Sequence, residues 1–408
     1  MPVAFLVAAV AAMAGRAATD DAPAQTGAAL RVVPIASPAP TPGAQPQLTA
    51  SSRGVLLSWV ERAGRTATLK FAERTATGWT PVRTVASGDD WFVNWADVPS
   101  VLRLPNGTIV GHWLQKSGPG TYAYDVRLAY SKDDGRTFSP SFLPHHDGTQ
   151  TEHGFASLFP MQGGLGLVWL DGRAMRPQGG GAMTLRYAAF DGAWKQVADM
   201  PVDVRVCECC PTTAAVTADG PIVAFRDRTE QEIRDIHVSR LEDGQWSPST
   251  AVAADNWHIT GCPVNGPTLS ARGRDVALAW FTGAENQPRA FVAFSRDAGR
   301  TFGAPVRVDD AGTLGRVDVE LLDDGSAVVG WIEYADRVAE FRVRRVEPSG
   351  ARSAAVTVAA IASDRTSGYP RLARHGDELV LAWIERTPAT PPATGPQLHV
   401  RTAAATFR

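Results

Sequence analysis

The chain has 408 residues, with 40 Lys and Arg against 42 Asp and Glu, a formal net charge of −2. That balance offers little to a polyanion, so neither nucleic acid nor an anionic membrane is expected as a partner. Hydrophobic residues are 44% and charged residues 20%, a globular composition, and no apolar run reaches the roughly 18–20 residues of a membrane span.

The first element is the apolar run Val3 to Met13, followed by the small residues Ala14, Gly15, Ala17 and Ala18. It reads as the core and cleavage region of a secretory signal over residues 1–18, although no Lys or Arg precedes it. An exported protein, periplasmic or extracellular, is therefore expected. A Pro-rich lead-in over 19–45 should be extended and not helical. Residues 46–408 are expected to form one domain.

Seven segments then share a pattern: a short strand, a turn, and an apolar strand that ends near an aromatic residue. The aromatic residues are Trp59, Trp113, Trp169, Phe225, Trp280, Trp331 and Trp383, spaced 51–56 residues apart. A period of this length matches a four-stranded blade, and such blades pack radially so that each covers its neighbour's apolar face. Turns such as 105-PNGT-108 and 323-DDGS-326 carry the Asn-Gly and Asp-Gly pairs of tight hairpins. No window shows a sustained helical period, so the fold class predicted is all-β, a seven-bladed β-propeller. The seventh unit lacks an outer strand, and residues 29–36 resemble the outer strands of other units. This N-terminal strand is predicted to complete the last blade and close the ring.

Two hairpins, 131-SKDDGRTF-138 and 295-SRDAGRTF-302, fit S-x-D-x-G-x-T-F. Worn forms stand at 239-SRLEDGQW-246, Gly78-Trp79 and 191-DGAW-194. The chain thereby resembles the sialidase superfamily of Asp-box propellers over nearly its whole folded length. Their six-bladed arrangement is the alternative to seven. The resemblance implies a glycan in the central funnel, bound and in an active member hydrolysed as by an exo-α-sialidase. It implies Tyr369 as nucleophile with Glu385 as its partner, and Asp125 as candidate proton donor. Glu61 and Glu333 hold the same strand-end position as Glu385, so that residue is also readable as a feature of the repeat. A member's carboxylate-binding Arg would stand where this chain has Asp97, which would repel an acidic sugar. Arg316 and Arg365 are candidate anion-binding residues, with Arg226 and Arg228 as further possibilities, but a full arginine triad does not map.

Loops that precede the inner strands should face the funnel. Of twelve tryptophans, nine occupy strand-end or hairpin positions, and the remaining Trp91, Trp95 and Trp257 fall in these loops. They are readable as sugar-stacking platforms or as packing at the centre of the ring. All four cysteines lie in two consecutive loops, as Cys207, Cys209 and Cys210 in one and Cys262 in the other. Three readings stay open: two disulfides stapling adjacent blades, a thiolate-rich Cu or Zn site with His258 or His153 adding a nitrogen, and a reactive thiol. The alternative to a glycan-active protein is thus a non-hydrolytic binding module with a metal or disulfide-locked funnel. His145 and His146 follow an outer strand and are expected to be solvated loop residues without a metal role.

Overall fold

The computed structural model describes residues 30–175, 180–388 and 395–407. The signal region 1–18 lies outside them. Seven antiparallel sheets stand around a common axis, so the chain is a seven-bladed β-propeller and the six-bladed alternative is set aside. The inner strands are Gly43–Ala50, Ser100–Arg103, His153–Met161, Thr213–Thr217, Thr268–Arg272, Thr313–Leu321 and Arg371–His375. Among the described residues there is no α-helix, only the two 3-10 turns Ala284–Asn286 and Arg365–Ser367.

The second strand of each blade is covered on both faces by its neighbours, which explains its continuous apolar run. Every residue of Gly164–Asp171 is buried, and Trp59, Trp169, Trp280 and Trp331 are fully enclosed. A buried indole N–H needs an acceptor. The repeat supplies one two residues later: Trp59 donates to Glu61 at 3.0 Å, Trp169 to Asp171 at 2.8 Å and Trp331 to Glu333 at 2.6 Å. The strand-end carboxylate is therefore a packing device in these blades.

The two S-x-D-x-G-x-T-F turns fold alike. Asp133 accepts the Thr137 N–H at 2.9 Å and its hydroxyl at 2.7 Å, and Asp297 accepts the same groups of Thr301 at 2.9 and 2.6 Å. Gly135 and Gly299, with φ of 78° and 80°, hold backbone positions that a side chain would strain. The aromatic that follows packs inward: Phe138 meets Phe71 edge-on with ring centroids 6.3 Å apart.

Leu30–Ile35 pairs antiparallel with Gln397–Phe407 as the outermost strand of the seventh blade, in register from Leu30–Phe407 to Ile35–Thr402. The ring closes through this strand as predicted. The second blade keeps three strands, Ser100–Arg103, Ile109–Lys116 and Tyr124–Ser131, with isolated bridges Leu128–Phe142 and Tyr124–Glu152 from the last of them.

Candidate functional site

The inner strands leave a central cavity of about 720 Å³, lined by residues of all seven blades, with Asp97, Asp318 and Glu320 among them. The loops that lead from one blade to the next inner strand open on one end of it. The hairpins at 131–138 and 295–302 turn at the other end of the blades.

The cysteine loops meet at the loop end. Cys207 Sγ lies 3.4 Å from Cys210 Sγ and 3.8 Å from Cys209 Sγ. The three sulfurs fall within 4.8 Å of one another. Cys262, from the next loop, is exposed and stands on the Cys209 side of this trio without being one of the three clustered thiols. All four are free. Two buried guanidiniums support the group. Arg234 places Nη1 3.2 Å from Cys207 Sγ and pairs with Glu208 and Glu232 at 3.0 and 2.8 Å. Arg226, 1% exposed, ties this loop to the next by donating to the carbonyls of Asn265, Arg234 and Phe281. Hydrogen bonds from Cys209 and Cys210, aided by the charge of Arg226, hold the Cys207 thiol well below its ordinary pKa. Burial pushes Cys210 up to about 12. His258 is exposed and is not among the three clustered ligands.

Beside the thiols stands an aromatic pair. Trp95 stacks on Tyr369 with centroids 5.8 Å apart and planes 17° apart. Arg316 lies over Trp95 at 4.7 Å and Arg365 at 5.9 Å, and Arg371 lies over Tyr369 at 5.1 Å. Arg316 is buried and its Nη1 is taken up by Ser367 Oγ at 2.5 Å and the carbonyls of Asp364 and Gly368. Arg365 is exposed. Tyr369 is 3% exposed and donates its hydroxyl to the Val264 carbonyl at 2.6 Å. Burial, with Cys210 nearby, pushes its phenol far above the ordinary value.

The other residues singled out by sequence have different surroundings. Glu385 pairs with Arg401 and is half exposed. Asp125 faces His153, with Oδ1 3.2 Å from Nδ1. Tyr369, Glu385 and Asp125 thus each have a separate set of partners. Trp91 stacks on Trp113 at 5.5 Å, and Trp257, 8% exposed, meets Phe281 edge-on at 5.6 Å under the Arg226 guanidinium. Both serve packing. Asp97 is 1% exposed, accepting the Phe155 N–H at 2.7 Å and the Tyr124 hydroxyl at 3.0 Å. Tyr124 also contacts Glu152 at 2.7 Å. Burial raises Asp97 to about 8 and Glu152 to about 7. Arg228 is committed to Glu208 and Glu232.

His145 corrects an expectation. It is 3% exposed, not solvated, because the loop after the second blade folds back over the third and stacks its ring on His153. Only His146 is exposed.

No family model matches the chain, and no curated protein matches it. Solved structures do. A protein of unknown function from Dyadobacter fermentans is 14% identical, with a TM-score of 0.53 over 93% of this chain and 99% of that one. The polysaccharide lyase Uly1 is 12% identical, with a TM-score of 0.52 over 91% of each chain. Trypanosoma rangeli sialidase is 10% identical, with a TM-score of 0.47 over 81% of this chain and 57% of that one. At these identities the likeness is one of fold, shared with propellers that include glycan-active enzymes. No membrane-spanning helix is present among the described residues.

Proposed function

We propose that this is an exported, non-hydrolytic binding propeller whose loop face holds one soft metal ion, Cu(I) or Zn(II), on Cys207, Cys209, Cys210 and Cys262. The observation that carries this reading is the meeting of three unbonded thiols, Cys207, Cys209 and Cys210, beside a pair of buried arginines, with the free Cys262 of the next loop near Cys209 to complete the set. Thiolate is the ligand type these two ions select. Thiols 3.4–3.8 Å apart stand at the separations of ligands that share one ion with metal–sulfur bonds of about 2.3 Å. Ion binding would take the protons from the remaining thiols, and Arg226 and Arg234 would offset the charge left on the sulfurs. Arg226 would also keep the two ligand loops in register through its carbonyl contacts.

The test is metal content of the mature protein expressed with copper or zinc and purified without chelator. About one thiol-dependent equivalent per chain is expected, the part of the metal content that Cys207→Ser and Cys210→Ser remove. Two intact disulfides by mass under non-reducing conditions, with no bound metal, would overturn the reading.

A second reading rests on Trp95. Its half-buried ring, stacked on Tyr369 and flanked by exposed Arg365, would offer an aromatic edge and a cation to an acidic glycan. The likeness to a polysaccharide lyase agrees with this class of ligand but concerns the fold. Glycan binding that is lost in Trp95→Ala would support it. Sialoside turnover abolished by Tyr369→Phe would restore the hydrolase reading.

A further inference from the structure

A second group of metal-type ligands lies away from the cysteines, between the second and third blades. His145 and His153 stack with centroids 3.9 Å apart and planes 12° apart. Asp125 Oδ1, His145 Nε2 and His153 Nδ1 lie within 4.8 Å of one another. The carboxylate oxygen is 3.2 Å from His153 Nδ1 and 3.7 Å from His145 Nε2. All three atoms are buried and, apart from their contacts with one another, none has a hydrogen-bond partner; His153 Nε2 is unmatched as well. The side chains of His153 and His145 are 0% and 4% exposed. Buried polar atoms left unmatched are costly, and three gathered this closely call for an occupant.

The far side of each ring is arranged differently. His145 Nδ1 is 2.9 Å from Asp147 Oδ2, and His153 Nε2 is 3.3 Å from the same oxygen and 3.8 Å from Asp171 Oδ2. Asp147 is itself fixed by the N–H and hydroxyl of Thr149. Asp171 is held by Arg173 at 2.7 Å and by the Trp169 indole at 2.8 Å. His145, with one nitrogen free and the other hydrogen-bonded to a fixed carboxylate, has the usual outer arrangement of a metal ligand; His153 Nε2 has only the longer contacts. The charge count points the same way. Three carboxylates face Arg173 and two stacked imidazoles, which cannot both carry a proton at this separation without repulsion.

We propose that Asp125, His145 and His153 form a second metal site, a two-histidine, one-carboxylate triad for a divalent first-row cation, with Asp147 as the positioning carboxylate. Ligand atoms 3.2–3.7 Å apart match bonds of about 2.1 Å to one ion. Asp125, with a side chain 17% exposed, lies on the route of entry. The nitrogen and oxygen donors favour a harder ion than the cysteines do.

Cobalt(II) separates the two sites, because only the thiolate site gives a sulfur-to-cobalt charge-transfer band. Metal-free protein carrying Cys207→Ser and Cys210→Ser is expected to bind about one Co(II) per chain, with visible ligand-field bands and no charge-transfer band. In that background, Asp125→Ala and His153→Gln should each weaken Co(II) binding by at least about 100-fold, and Asp147→Asn by about 10–100-fold. His146→Gln should leave it unchanged. Asp125 reaches the surface, so its variant decides if His153→Gln fails to fold. Absence of Co(II) binding in the folded cysteine variant, or binding that survives Asp125→Ala, would overturn the proposal. Neither result depends on whether the cysteines bind metal.

Discussion

Tyr124 donates its hydroxyl to Asp97 at 3.0 Å inside a site where Asp97 is 1% exposed. Burial raises this carboxyl from 3.8 to about 8, with Glu152 adding to the shift. The folded chain therefore holds a proton there that the unfolded chain releases. Between about pH 4 and pH 8 the unfolded state binds fewer protons, so this group's contribution to stability falls as pH rises. Asp97→Asn keeps an acceptor for Phe155 and Tyr124 without the charge. It should stabilise the protein by about 1–3 kcal/mol at pH 8.5 and by much less near pH 4. Urea unfolding of both proteins across this range checks it. An equal effect at both ends would mean that Asp97 is not protonated by folding.

Arg234 is 2% exposed and bonds Cys207 Sγ, Glu208 and Glu232. Arg234→Met removes the cation but leaves its anions. A loss of about 3–5 kcal/mol is expected, as for one broken partner of a buried pair. The same change should raise the Cys207 pKa and slow alkylation by iodoacetamide at neutral pH. Alkylation at the wild-type rate would show that Arg234 does not set the thiolate.

Tyr369→Phe deletes one buried hydrogen bond, from the phenol to the Val264 carbonyl at 2.6 Å. The carbonyl loses its donor in a closed site, at a cost of about 1–2 kcal/mol. Stacking on Trp95 needs only the ring and should persist, so intrinsic fluorescence should change little. A stability unchanged in thermal unfolding would show that water replaces the hydroxyl.

The blades were legible in the chain because their cause is local. An apolar strand covered on both faces, with an aromatic at its end, repeats at a spacing that only stacked sheets explain. The meeting of the cysteine loops followed from that spacing, since loops before consecutive inner strands are neighbours in a ring. The partners of Tyr369 and Glu385 were not legible. Glu385 stands two residues after Trp383 as Glu333 does after Trp331, yet Glu385 turns to Arg401 while Glu333 accepts the indole. The histidine cluster was hidden for a related reason. Asp171 is the third blade's strand-end carboxylate, and its recruitment beside His153 depends on how the 145–149 loop folds back. Side-chain rotamers and loop paths decide such contacts, and neither leaves a period in the sequence.

The ring closes through one strand from the start of the described chain. Leu30–Ile35 covers the edge of Gln397–Phe407 with six paired residues, and Leu30 is buried beside Leu379 and Leu381 in the core of the last blade. Removing residues up to 36 exposes that edge as unpaired N–H and C=O groups, a template for pairing with another chain. The truncated protein is expected to unfold at lower temperature and to self-associate, and the cysteine loops on the opposite arc of the ring should keep their thiol reactivity. Light scattering, thermal unfolding and thiol titration together check this. A monomeric product with unaltered thermal stability would show that the N-terminal strand does not hold the ring closed.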